Sequence, residues 1–144
     1  MRTFVIDASI AVKWVVEEKD TSEALMLRRR TRLIAPELLT AECANVLWKK
    51  VRTNELSDDE AYLAARLLQT ADIELLPTRS LLESATRIAV ELEHPAYDCL
   101  YLALAIKHDC RFVTADEHFI RKLSKEHRHR FHDRVIALAK AAER

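Results

Sequence analysis

FVIDAS, residues 4–9, is a short apolar run that ends on a carboxylate, Asp7. RFVTAD, residues 111–116, repeats the pattern late in the chain and ends on Asp116. Short apolar runs closed by polar residues read as strands buried on both faces, as in a parallel sheet. Ligands of an open parallel sheet bind beyond the carboxyl ends of its strands, where the strand order reverses. If the two runs are neighbours flanking that point, Asp7 and Asp116 meet there. Like charges at ~4 Å repel, and each raises the other's pKa unless a cation stands between them. A divalent metal is the economical explanation.

The residues between these runs support that fold. SIAVKWVVEE (9–18) reads as a helix, and DTSE (20–23) as a helix start capped by Asp20 or Thr21. RLIAPE (32–37) is a second strand ending before Pro36. PELLTAECANVLWKKVRT (36–53) is a helix with Pro in its first turn and Leu39, Cys43, Val46 and Leu47 at helical spacing. SDDE (57–60) and SLLE (80–83) both have capping-box spacing ahead of helical stretches. IELLP (73–77) is a third strand, and His94-Pro95 a break. AYDCLYLALAIKHD (96–109), apolar nearly all round, reads as a central helix. RFVT is the fourth strand, EHFIRKLSKEH a helix, and RVIAL (134–138) a short last strand. Alternation of this kind predicts an α/β three-layer sandwich around a mainly parallel sheet of four to five strands, with residues 1–144 as one domain.

Composition narrows the function. The 144 residues carry 23 Lys plus Arg against 23 Asp plus Glu, so any nucleic-acid contact must rest on local patches. The chain has no glycine, which excludes Gly-rich phosphate loops and leaves other residues, such as Asn54, to close helix ends. Cys43, Cys99 and Cys110 have no CxxC spacing and read as small thiols in or near the core, in a reducing compartment. No leader peptide and no apolar run of the ~18–20 residues needed to span a bilayer is expected, and the reading is cytoplasmic.

Two further acids are candidates for the same place. Glu42 lies early in the helix after the second strand, and Asp98 near the start of the central helix. Right-handed crossovers bring both helix starts to the edge where Asp7 lies. Taken singly, Asp98 reads as a helix-dipole partner and Asp116 as an N-cap. Ser9 and Thr114 are each two residues from an acid, and Asn45 shares a helix face with Glu42; all three can support carboxylates or bound water.

FVIDASIAVKW, APELLTAECANVLWK, AYDCLYLALA and FVTADEHF resemble the four sequence blocks of PIN-domain proteins, specifically VapC-like ribonuclease toxins. The resemblance covers nearly the whole chain, in order. It implies an acidic quartet, Asp7, Glu42, Asp98 and Asp116, binding Mg²⁺ or Mn²⁺, with Thr114 and Ser9 in support. It implies an endoribonuclease, a hydrolase leaving 5′-phosphate and 3′-hydroxyl ends, which acts as the toxin of a toxin–antitoxin system. An RNA substrate, a cognate antitoxin and a homodimer are the implied partners. Such proteins often carry glycine where this chain has HDCRF (108–112).

An all-carboxylate set suits a hard ion and not zinc. RRRTR (28–32), KKVR (49–52) and RKLSKEHRHRFHDR (121–134) are candidate RNA patches, and HRHRFH (127–132) reads as a solvated basic surface. Tyr97, beside Asp98, could stack on a base but is read as packed. Trp14 and Trp48 are read as core or as a surface that a partner covers. A haloacid-dehalogenase-type enzyme would want a second Asp where Ser9 stands. A receiver domain would want an Asp after a middle strand and a Lys after a late one. The remaining alternative is a non-catalytic PIN-like module that binds RNA or a protein.

Overall fold

The computed structural model describes residues 1–125 and 129–143. Five strands, β1 (Thr3–Ile6), β2 (Arg32–Pro36), β3 (Glu74–Leu76), β4 (Arg111–Thr114) and β5 (Val135–Ala137), form one sheet in the order β3-β2-β1-β4-β5. Every pairing is parallel. The inner strands are apolar because both their faces are covered: Val5, Ile6, Phe112 and Val113 are fully buried.

Helices α1 (Ala8–Ala11), α2 (Thr21–Arg30), α3 (Leu38–Arg52) and α4 (Asp58–Gln69) connect β1, β2 and β3. Helices α5 (Leu82–Leu92) and α6 (Ala96–Lys107) return the chain to β4, and α7 (Glu117–Ser124) and α8 (His129–His132) lead to β5. A last turn, α9 (Leu138–Ala141), follows. Right-handed crossovers place α1–α4 on one face and α5–α8 on the other. The packing of α1 on α3, α5 on α6 and α7 on α8 agrees, and the result is a three-layer sandwich.

Several local expectations are corrected. The stretch 9–18 is not one helix: α1 is a single turn that runs into a 3-10 turn, Val12–Trp14. β-branched Val12, Val15 and Val16 disfavour helix. The buried Lys13 instead gathers the following loop, its Nζ donating to Lys19 O at 2.8 Å and Glu18 Oε1 at 3.2 Å. Pro36 does not open α3. It ends β2 in register with Leu76, and Glu37 N donates to Leu76 O at 3.0 Å, so the helix begins only at Leu38.

SDDE does form a capping box, with Ser57 and Glu60 satisfying each other's backbone N–H. SLLE does not. Burial of Leu81 shapes Arg79–Leu81 into a 3-10 turn, α5 starts at Leu82, and Ser80 Oγ accepts from Lys107 Nζ at 3.2 Å instead. Asp20 stands at the N-cap of α2 without a side-chain capping bond; the Thr21 hydroxyl ties the preceding loop by accepting from Glu18 N. Lacking glycine, the chain uses Asp20, Asn54, Glu93 and Asp109 at positive φ. Asp109 makes the turn inside HDCRF at φ 50°, steadied by Arg134 Nη1 at 2.8 Å. Cys43 and Cys99 are buried, Cys110 is half-buried, and all three are free thiols. Among the described residues no helix is long and apolar enough to cross a membrane.

Candidate metal centre at the exit edge of the sheet

The strand order reverses between β1 and β4, and Asp7 leaves β1 at that point. Ile6 pairs with Val113, so Asp7 stands level with Thr114. The Thr114 hydroxyl donates to Asp7 Oδ2 at 2.7 Å, and Ser9 Oγ donates to Oδ1 at 2.5 Å. Ser9 Oγ in turn accepts from Ala115 N at 3.1 Å, lacing the two strand ends together. Burial pushes the Asp7 carboxyl up to about 6; the two hydroxyls oppose this, and the charges of Asp98 and Glu42 add to it. Three acids from three elements therefore converge: Asp7 from β1, Glu42 from α3 and Asp98 from α6.

Glu42 accepts a hydrogen bond from the Tyr101 hydroxyl at 2.5 Å, a contact that reaches from one helical layer to the other. Burial raises the Glu42 carboxyl, the tyrosine lowers it, and the Asp98 charge raises it again. Tyr101 is fully buried, stacked on Phe112 at 5.3 Å, and its own hydroxyl is pushed up by burial and by Glu42. Asp98, in the first turn of α6, lies 2.7 Å through Oδ2 from His94 Nε2. The backbone of Asp116 is tied to the site through Thr114, whose Oγ1 accepts from Asp116 N at 3.1 Å. Its Oδ1 also caps α7 by accepting from Phe119 N at 3.1 Å, so the simple capping role of Asp116 is met as well.

Carboxylates with flanking hydroxyls are oxygen donors, the kind that suits a hard cation rather than a soft one. The nearby thiols offer no thiolate to a soft ion: Cys43 is pushed up to about 12 by burial and by the Glu42 and Asp7 charges, and Cys99 to about 11 by burial and by Asp98. Among the described residues no group of His, Cys, Asp and Glu side chains is already arranged as a metal cage. Each acid instead faces a protein donor: Ser9 and Thr114, Tyr101, His94, and Phe119 N.

Tyr101 and His94 escaped the sequence reading. Tyr101 lies three residues after Asp98 on α6, at helical neighbour spacing, whereas His94 precedes the helix and carries no such signal. Asn45 is exposed on α3. Tyr97 is 62% exposed rather than packed, because the first turn of α6 turns it outward. Trp14 is core, its Nε1 donating to Ala24 O, whereas Trp48 is 54% exposed beneath Arg52. Arg28–Arg30 end α2 and Arg32 opens β2, which puts RRRTR at the edge opposite the acids. In KKVR, Lys50 is paired with Glu18 and Glu55. Residues 126–128 of the basic tail and of HRHRFH lie outside the described residues.

A family model described as PIN domain matches residues 4–125. A ribonuclease VapC3 of Pyrobaculum aerophilum is 29% identical over 82% of this chain and 92% of its own length. A VapC ribonuclease of Mycobacterium bovis is 30% identical over 78% of this chain and 84% of its own. Among solved structures, a Pyrobaculum aerophilum protein superposes with a TM-score of 0.69, covering 99% of this chain and 91% of that one at 20% identity. The VapBC2 complex of Rickettsia felis, bound to a DNA fragment from its promoter, gives 0.59 at 15% identity, over 83% of this chain and 92% of that one. At those identities the two structures speak for the fold.

Proposed function

This chain belongs to the PIN-domain family, and from that premise we propose that it is a divalent-metal-dependent endoribonuclease, the toxin of a toxin–antitoxin pair. The observation that carries the reading is the meeting of Asp7, Glu42 and Asp98 at the strand-order reversal, where the Asp98 charge penalises both of the others and the Glu42 charge penalises Asp7. A pure binding surface gains nothing from buried and half-buried acids that repel; a cation site does.

Asp7, Asp98 and Asp116 would hold Mg²⁺ or Mn²⁺, with Glu42 completing the set or orienting the attacking water. A divalent ion supplies polarisation of the scissile phosphodiester and water at lowered pKa. Ser9 and Thr114 fix both oxygens of Asp7, so its orientation is set before substrate arrives. Tyr101 does the same for Glu42. The products would be 5′-phosphate and 3′-hydroxyl ends, and RNA, a cognate antitoxin and a second copy of the chain would be its partners. The likeness to VapC ribonucleases and to a VapBC complex supports that assignment.

The test is cleavage of RNA by the purified protein with Mg²⁺, with Mn²⁺ and with EDTA, beside Asp98→Asn. Activity should need the metal and fall by at least about a hundredfold in the variant. EDTA-resistant cleavage would overturn the metal mechanism. RNA binding without turnover under any metal would leave the non-catalytic module as the better reading.

A further inference from the structure

His94 belongs to none of the four acids, yet it is held between one of them and a cation. Its Nε2 lies 2.7 Å from Asp98 Oδ2, and its Nδ1 lies 3.3 Å from Lys122 Nζ. An ammonium group has donors only, so Lys122 must donate to Nδ1, and the ring proton then sits on Nε2 and points at Asp98. Lys122 is itself anchored, donating to Glu93 O at 2.7 Å in the left-handed turn between α5 and α6. The imidazole is buried and packs on Phe119 with ring centroids 4.7 Å apart. Asp116 at the N-cap of α7 and Phe119 and Lys122 within it recur every third residue, so the element that Asp116 caps also supports the ring that orients Asp98.

We propose that His94 and Lys122 are positioning residues for the metal centre. The pair fixes one Asp98 oxygen through a ring of defined tautomer and leaves the other for the cation. The inference rests on the metal site proposed above. It assigns a task to a histidine that neither binds the ion nor touches the substrate, and it makes α7 the element that aligns two acids at once.

Manganese titration calorimetry tests this on the wild-type protein, His94→Leu, His94→Gln, Lys122→Met and Asp98→Asn. Leu keeps the contact with Phe119 but not the hydrogen bonds, and Mn²⁺ affinity should fall about tenfold or more with little change in thermal unfolding. Gln can donate to Asp98 and accept from Lys122, and should restore most of the affinity. Lys122→Met, at a more accessible position, should weaken binding less than Leu and keeps the test alive if His94→Leu fails to fold. RNA cleavage by His94→Leu should lose kcat at unchanged KM. A long-range ¹H–¹⁵N spectrum should show the His94 signal, identified by its loss in the variants, with Nε2 protonated and Nδ1 bare. Wild-type affinity in His94→Leu, or a proton on Nδ1, would overturn the relay alone, provided Asp98→Asn still abolishes binding. A wild-type protein that takes up no Mn²⁺ would overturn the metal site and the relay together.

Discussion

Asp7 is the residue on which the site and the stability of the fold pull in opposite directions. Its carboxyl is raised from 3.8 to about 6, chiefly by burial. The folded state therefore holds that proton more tightly than the unfolded chain does. The contribution is harmless below the unfolded value and becomes a penalty as pH rises through the folded one, reaching about 3 kcal/mol at neutrality. With EDTA present, Asp7→Asn should therefore unfold later than wild type at pH 7, by about 1–3 kcal/mol, and the difference should vanish near pH 4. Added Mn²⁺ should reverse the order at pH 7 by stabilising only the wild type. Thermal unfolding followed by circular dichroism reads all three comparisons; an asparagine variant no more stable at neutral pH would show that Asp7 carries no buried-charge penalty. Tyr101→Phe probes the same balance at Glu42. The ring stays stacked on Phe112, one hydrogen bond goes, stability should fall by about 1 kcal/mol, and kcat should drop about tenfold.

At the scale of elements, the legible parts were those whose information is local. β1 and β4 announce themselves as apolar runs closed by acids, and α4 by a capping box that forms as written. Ser57→Ala should therefore cost about 1 kcal/mol in denaturant unfolding, an effect confined to the start of α4. Ser80–Glu83 has the same spacing and no such box, because burial of Leu81, worth about 1.5–3 kcal/mol, outweighs a cap worth about 1 kcal/mol. The end of α5 makes a complementary point. Glu93 takes φ 51° where glycine would be free of strain, so Glu93→Gly should raise stability by up to about 1 kcal/mol while leaving the carbonyl that Lys122 uses. Asp7 and Asp116 stand out in the sequence because each follows the end of a strand. The long-range partners of Tyr101 and His94 were not legible, since Tyr101 finds Glu42 across 59 positions of sequence and Lys122 finds His94 across 28.

For the whole molecule, the parallel sheet imposes a polarity that composition conceals. Charges sum to zero along the chain, yet the acids collect at the exit edge, while Arg28, Arg29 and Arg30 close α2 and Arg32 and Arg111 open strands at the entry edge. Basic residues at helix C-termini offset the helix dipole without any ligand, and that explains Arg28–Arg30 as well as an RNA contact would. KKVR is also partly spent: Lys50 is bound to Glu18 and Glu55, and Arg52 lies over Trp48 at 4.7 Å. Replacing Arg28, Arg29 and Arg30 together by Gln should leave kcat/KM for RNA cleavage within about twofold and its dependence on salt unchanged. Had these arginines held phosphates, each lost contact would lower the salt slope by roughly one. A variant whose cleavage became nearly insensitive to salt would place substrate against the entry edge. It would also require RNA to wrap around the sheet, since the arginines and Asp7 stand at opposite ends of its strands.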